Sequence, residues 1–543
     1  MKPSVVIVSL GVGLPSLALA GGLVLPGAGA VSTSRAGTGV ASTEGAEAIS
    51  LNPAGMAKSK GTTISLGFAI INYDLTFQRN GNYDDDPDFA YPYEGQRYGV
   101  VENTSKPPLG IGRYQPVPML GITSDLGGAV PNLTLGFGLY TINAYPFRDM
   151  NNANGNPYYT VGSSGAYEFP AFGEPPPPSR YDIVYQEAAI ILPSLAAAYR
   201  IGDIDIGGRF GLGFAHAKSA VGVWGGIANY NESIDRDGII TLDATDSLVP
   251  GWGLGLAYRP TPNIEIGAQY TGQTDALAKG EAKSANAPGV TLNGTPIIIQ
   301  PVKDEFARCD TGGTAEALKG CVTIAIPMMA TIGARYKFLD GNGATKGDLE
   351  LDVDWQNWGA DAVSNYKVVV DGEVTTAAAP ENAIGLKDSF ISHGFRDTWG
   401  VRLGGSWSIP QGDNAILVRG GIGYETGAAK PGWERLDVDG AARTMLTAGG
   451  SYKLSRVQID AGFGVVLEGT RTDSRTCNPG IDPTTMQPTG CGPAGEVQPV
   501  EDRKGPDPTN PLLAPAAQSE NPVNQGTFTS QYLLFMLGVS TWF

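Results

Sequence analysis

The chain has 543 residues, enough for several soluble domains, yet only 17% are charged and 76 are glycine. A mean hydropathy of −0.08 fits neither an apolar helix bundle nor an ordinary soluble surface, but suits strands with one apolar and one polar face. A net charge of −17 and a pI near 4.6 repel phosphate backbones and argue against nucleic acid as a partner.

The first twenty residues read as a secretory signal. Lys2 precedes an apolar run from Val5, and Ala18-Leu19-Ala20 supplies a small-residue cleavage site, so the mature chain is expected to begin near Gly21. Gly11, Gly13 and Pro15 interrupt the run, which is also short of the ~20 apolar residues of a membrane helix. No later stretch approaches that length without a charge or a proline. Any membrane crossing must therefore be made by strands, and strands cross only as a closed barrel because every backbone group has to be paired in lipid.

Ser34 to Ala57 (SRAGTGVASTEGAEAISLNPAGMA) is small and weakly polar, too poor in large apolar side chains to hold a core of its own. It is either a disordered linker or a segment that needs a container. Asn52-Pro53-Ala54-Gly55 ends it with a rigid turn, Pro53 fixing φ and Asn52 free to bond nearby backbone.

Alternation then marks fourteen strands, near residues 61–79, 109–126, 131–148, 183–202, 203–218, 247–260, 262–283, 322–338, 346–360, 395–409, 413–426, 440–454, 455–470 and 527–543. Their connections alternate short and long: Gly127 to Val130, Gly202-Asp203, Pro260 to Asn263, Pro410 to Asp413 and Leu454-Ser455 are tight. The stretches holding Asp84-Asp85-Asp86, Pro175 to Pro178, Ser284 to Gly320, Asp361 to Gly394 and Thr470 to Gly526 are long. That is the asymmetry of periplasmic turns and extracellular loops, and it places both chain ends on the periplasmic side. Cys309 with Cys321 and Cys477 with Cys491 fall in or beside long loops and read as two local disulfides; no CxxC occurs, so no metal or other cofactor is expected.

Parity assigns faces. Ile204, Ile206, Phe210, Leu212 and Phe214 share one face with Arg209 opposed, and Val457, Ile459, Phe463, Val465 and Leu467 repeat the pattern against Asp460 and Glu468. Trp355, Trp399 and Trp407 point outward, as interfacial aromatics do. Arg335, Glu350, Asp352, Asp354, Arg402, Arg419 and Arg443 point inward on five successive strands, where they can pair and grip the enclosed segment. An enzyme is not expected: Ser392-His393 is the sole adjacent Ser/His pair, and no G-x-S-x-G elbow is present.

NPAGMA behind a secretion signal, with Leu192 to Ile201 (LPSLAAAYRI), Gly251 to Tyr270 (GWGLGLAYRPTPNIEIGAQY), Gly394 to Gly405 (GFRDTWGVRLGG) and Ala448 to Phe463 (AGGSYKLSRVQIDAGF), resembles the FadL/TodX-type outer-membrane long-chain fatty acid transporters. The resemblance implies an all-β fold, a fourteen-stranded antiparallel transmembrane β-barrel over residues 61–543 with residues 21–60 as a hatch in its lumen. It implies a Gram-negative outer-membrane channel for passive uptake of long-chain fatty acids or similar hydrophobic molecules, leaving sideways past the hatch. An aromatic-hydrocarbon channel of the same family, or a surface adhesin or structural barrel, is the alternative.

Asn52, Pro53 and Ala54 match the family motif, with Gly55 beside them, and similarity implies that they pack against a perturbed wall near the third strand. Gly136 and Gly138 there tolerate a bend. Arg209 is the first choice to hold a fatty carboxylate; His216 and Lys218 lie near it in sequence, though parity points them outward unless a bulge intervenes. The last strand ends on Phe543 and resembles the recognition strand read by barrel assembly machinery. Expected partners are thus a hydrophobic ligand, outer-membrane lipid and that machinery, with the protein a monomer.

Overall fold

The computed structural model describes residues 24–543 apart from 84–89, 142–143, 154–155, 163–166, 170–172, 224–233, 235–236, 287–290, 293–294, 303–307, 310–317, 377–378, 387, 431–433, 439, 474–479, 482–487 and 490–525. The signal segment and the Cys477/Cys491 pair lie outside the described residues.

Fourteen antiparallel strands close on themselves. In chain order they are β1 Thr62–Arg79, β2 Gln115–Ser124, β3 Leu133–Thr141, β4 Tyr185–Ile201, β5 Ile204–Val223, β6 Gly238–Thr261 and β7 Ile264–Thr271. The second half is β8 Met329–Leu339, β9 Thr345–Gln356, β10 Thr398–Gln411, β11 Asn414–Glu425, β12 Arg443–Lys453, β13 Val457–Asp473 and β14 Gly526–Trp542. Each pairs with its neighbour in sequence, and β14 returns to β1 in unbroken register from Thr63↔Trp542 to Arg79↔Gly526. No open edge remains, as a bilayer demands.

Alternation puts large apolar side chains on the outside. Ile204, Ile206, Phe210, Leu212 and Phe214 are all more than 40% exposed, while Asp205 on the opposite face is fully buried. Leu403, Val418, Ile422, Phe463 and Leu537 continue the apolar belt around the wall. Near the short turns, Lys346 and Lys453 each lie 5.3 Å over the rings of Trp407 and Trp542, a cationic and aromatic girdle at the level of the headgroups.

Three departures from the sequence reading have physical causes. The third strand ends at Thr141 rather than near 148, because Pro146 cannot donate to a ladder; Ala144 instead bridges Val24, while Tyr145 and Phe147 turn into an interior cluster. The ladders on both sides of β3 run without a register shift, so no bulge is present at Gly136 or Gly138. Third, β5 and β6 continue far beyond the apolar belt. Their upper halves join Thr274–Asn286, Lys319–Ile326 and Asn365–Thr376 in an extracellular sheet around Leu242, Ala244, Ala278, Ala282, Val322 and Val370. These halves face no lipid, so they lack the alternation that marks a membrane strand.

Cys309 and Cys321 are joined by a disulfide that ties a loop to this sheet, and Asp371 accepts from the Arg308 and Cys309 amides beside it. Replacing both cysteines with serine should cost about 3 kcal/mol of local stability in the chain-entropy model. The expected readout is faster proteolysis of the extracellular sheet with the heat-modifiable mobility of the barrel unchanged.

Candidate functional site

Residues 24–58 occupy the barrel as a chain with little internal core. Its helices are α1 Ala30–Thr33, α2 Gly45–Leu51 and a 3-10 turn Pro53–Lys58. Glu47 of α2 accepts from the Val31 and Ser32 amides, both at 3.0 Å, and so fastens α1 to α2. Asn52 caps the 3-10 turn by accepting from the Ala54 amide at 3.1 Å, with Pro53 at the first position where its missing N–H costs nothing. The Asn52 side-chain amide donates to Val40 O at 2.6 Å and to Leu256 O of β6 at 3.0 Å. One buried side chain thereby ties two parts of the hatch to the wall.

A charged half of the wall holds the rest. Asp352 Oδ2 accepts from the Gly39 and Val40 amides at 2.9 and 3.2 Å, and Glu350 Oε1 from those of Ala41 and Ser42 at 2.7 and 3.1 Å. Arg35, the first charge in the hatch, reaches Asp348 and Glu350 at 3.0 Å each and Ser406 at 2.8 Å. Behind this row Arg335 pairs with Asp348 and Glu265, Arg402 with Asp354 and Glu425, Arg443 with Glu425, and Arg419 with Asp460. Buried charges persist only when paired in this way.

The other half of the wall, β3 to β6, is built from small residues in register. One inward row runs Gly136–Ala196–Arg209–Gly253, and the row on its extracellular side runs Gly138–Ser194–Gly211–Gly251. Adjacent members of such a row stand about 5 Å apart, so Gly136 and Arg209 are two strands, or roughly 10 Å, from each other. The row on the other side carries Gly207 and Gly255, and there the NPAG turn presses directly on backbone. A Cβ at Gly255 would stand 2.0 Å from Asn52 Oδ1, and one at Gly207 2.4 Å from the Ala54 amide. Gly136 faces Met56 and Ile49 of the hatch, and the Tyr140 ring lies across Gly138. These two glycines are accounted for by close packing rather than by a bend.

Arg209 differs from its neighbours. Its Nη2 makes one long bond of 3.4 Å to Thr271 Oγ1, and its Nε has no partner. Among the described residues it is the guanidinium on the inner face of β5 to β12 that lacks a carboxylate, and it keeps accessible surface although it faces inward. On its extracellular side Leu192, Ala215, Val249 and Ala276 form an apolar cluster.

The structure seats Asn52, Pro53 and Ala54 against Gly207 and Gly255 of β5 and β6 rather than against the third strand that the resemblance implied, while Gly136, Gly138 and Arg209 lie on neighbouring rows of the same half of the wall. It does not bring His216 and Lys218 there. They lie seven and nine residues beyond Arg209, about 23 Å and more at ~3.3 Å per residue, and on the opposite parity. A register shift does occur between Gly213 and Ala215, yet His216 is engaged by Asp243 at 3.0 Å, and Lys218 stands opposite Glu187 and Asp243 in the extracellular sheet. His393 is buried with its ring nitrogens against Asp437 and Ser364 O. Sequence reasoning missed Arg35, Asp348, Glu265, Glu425 and Tyr140. Extending the inward parity of Glu350 and Asp352 by one step reaches Asp348, and Arg35 is the single charge between Gly21 and Ala41.

Residues 184–480 match the family model described as outer membrane protein transport protein (OMPP1/FadL/TodX). No curated protein sequence matches the chain. Among solved structures, a Pseudomonas aeruginosa FadL homologue is similar over 96% of this chain and 100% of its own, at 12% identity and a TM-score of 0.62. The Ralstonia pickettii toluene transporter TbuX is similar over 96% of this chain and 99% of its own, at 15% identity and a TM-score of 0.56. The Pseudomonas putida toluene transporter TodX gives the same coverage and TM-score at 13% identity. At these identities the likeness is one of fold.

Proposed function

The chain belongs to the OMPP1/FadL/TodX family of outer-membrane transport proteins for hydrophobic compounds, and we propose that this member takes up amphiphiles with an acidic head, of the long-chain fatty acid class. The observation that carries the reading is Arg209, a cation without a carboxylate in a wall of small residues. A fatty carboxylate meets that guanidinium with charge-assisted hydrogen bonds. The tail gains roughly 0.8 kcal/mol per buried CH₂ along an apolar surface such as Leu192, Ala215, Val249 and Ala276. The same reading takes the ligand out sideways at β3 once the hatch residues Ile49 and Met56 withdraw from Gly136, as supported by their close contact there. The NPAG turn, one row below Arg209, is the part of the hatch that such a ligand would disturb first.

Arg209→Ala should weaken oleate binding about 10- to 100-fold, the range of ~1.5–3 kcal/mol for a hydrogen bond to a charged group, and leave toluene binding unchanged. Equal losses for both ligands would remove the carboxylate role. A second reading, an aromatic-hydrocarbon channel, draws on the upper lumen, where Tyr73 and Tyr532 stack at 4.3 Å and Phe77 and Phe528 lie 4.7 Å apart. It predicts instead that Tyr532→Leu impairs toluene uptake while Arg209→Ala has no effect on either ligand.

A further inference from the structure

The connection between β11 and β12 leaves the barrel on the extracellular side, yet a short strap within it, Arg435 to Val438, folds back into the mouth. Leu436 at its centre is fully buried and belongs to the apolar cluster of the upper lumen that includes Tyr73, Phe77, Phe147, Ile183 and Tyr532. It is held there by groups from outside its own connection. The Leu436 amide donates to Asp182 Oδ2 at 2.7 Å, and its carbonyl accepts from Arg148 Nε at 3.0 Å. On one side Arg435 pairs with Asp182 at 2.8 Å. On the other, Asp437 takes His393 Nε2 on its carboxylate at 2.8 Å and Gln186 Nε2 on its carbonyl at 3.2 Å.

These anchors come from three other regions of the chain: the segment after β3, the approach and start of β4, and the approach to β10. The anchoring side chains take no part in the backbone ladders that close the barrel, although Gln186 itself sits at the start of β4 opposite Ser219. What they do is hold one aliphatic side chain, introduced from outside, inside this apolar cluster. A hydrophobic ligand entering from the same side would compete for that apolar surface. We propose that Leu436 is a built-in occupant of the channel entrance, an autoinhibitory plug that an incoming hydrophobic molecule displaces by lifting the strap. The inference rests on the uptake reading above, because it supposes that ligand enters through this mouth.

The test uses the full-length protein in liposomes, with oleate and toluene as probes. Leu436→Ala should speed uptake of both about three- to tenfold at limiting probe. Arg435→Cys combined with Asp182→Cys, which leaves Leu436 in place, should block uptake when oxidised and release it on reduction. Wild-type protein taken through the same oxidation and reduction controls for Cys309–Cys321. Unchanged or slower uptake by a heat-modifiable Leu436→Ala protein, or full uptake by the cross-linked protein, would overturn the plug while leaving the channel intact. Wild-type uptake no faster than in protein-free liposomes would overturn the channel reading itself, and the plug with it.

Discussion

Glu350→Ala is expected to unseat the hatch and turn a closed pore into one with steady ion conductance in planar bilayers. Glu350 is fully buried, and a single carboxylate serves three hatch groups, the Ala41 and Ser42 amides and the Arg35 guanidinium. Truncating one partner of a buried pair costs about 3–5 kcal/mol, because the groups left behind are neither paired nor hydrated. The barrel ladders do not use this side chain, so heat-modifiable migration should persist. Glu350→Gln keeps an acceptor for the two amides and should leak far less. A Glu350→Ala pore as silent as wild type would mean that the hatch is held by shape alone.

Leu403→Arg is expected to destabilise the barrel in lipid by about 2–4 kcal/mol, the depth-dependent penalty for a cation on the membrane face of a barrel. Leu403 is 44% exposed at the middle of β10, flanked across the ladders by Leu351 and Ile422. The same change at Val161, which is 60% exposed on the extracellular side, should stay within about 0.5 kcal/mol. Urea unfolding in phospholipid vesicles compares the two directly. Equal effects at both positions would mean that the exposed belt of β10 does not meet hydrocarbon.

The barrel was legible wherever a strand has lipid on one side, because a two-residue period is then forced on the sequence. Ile204 to Phe214 show it plainly, and the fourteen strands follow from repeats of that pattern. The period fades where the wall rises into water: residues 238–246 and 365–376 are strands whose outward positions hold Asp243 and Thr245 as readily as apolar groups. The hatch was legible as a segment unable to fold alone, but not in its contacts. Arg35 and Asp348 lie more than three hundred residues apart, and no local pattern links them. Arg209 was found because parity separates it from five apolar neighbours. His216 and Lys218 entered on nearness in sequence, which along a strand translates into distance rather than contact.

The pairing of β1 with β14 has a consequence for biogenesis. Residues 62–79 meet 526–542, so the seam of the cylinder joins its first and last strands and cannot zip until both have been exported. The stopper's binding surfaces, from Gly136 and Tyr140 on β3 through Leu256 on β6 to Glu350 and Asp352 on β9, emerge between those two strands. Its seat is therefore complete only once the cylinder has curled round it. Such high contact order makes maturation slow and leaves half-built sheets exposed, which is where a folding catalyst in the membrane would act.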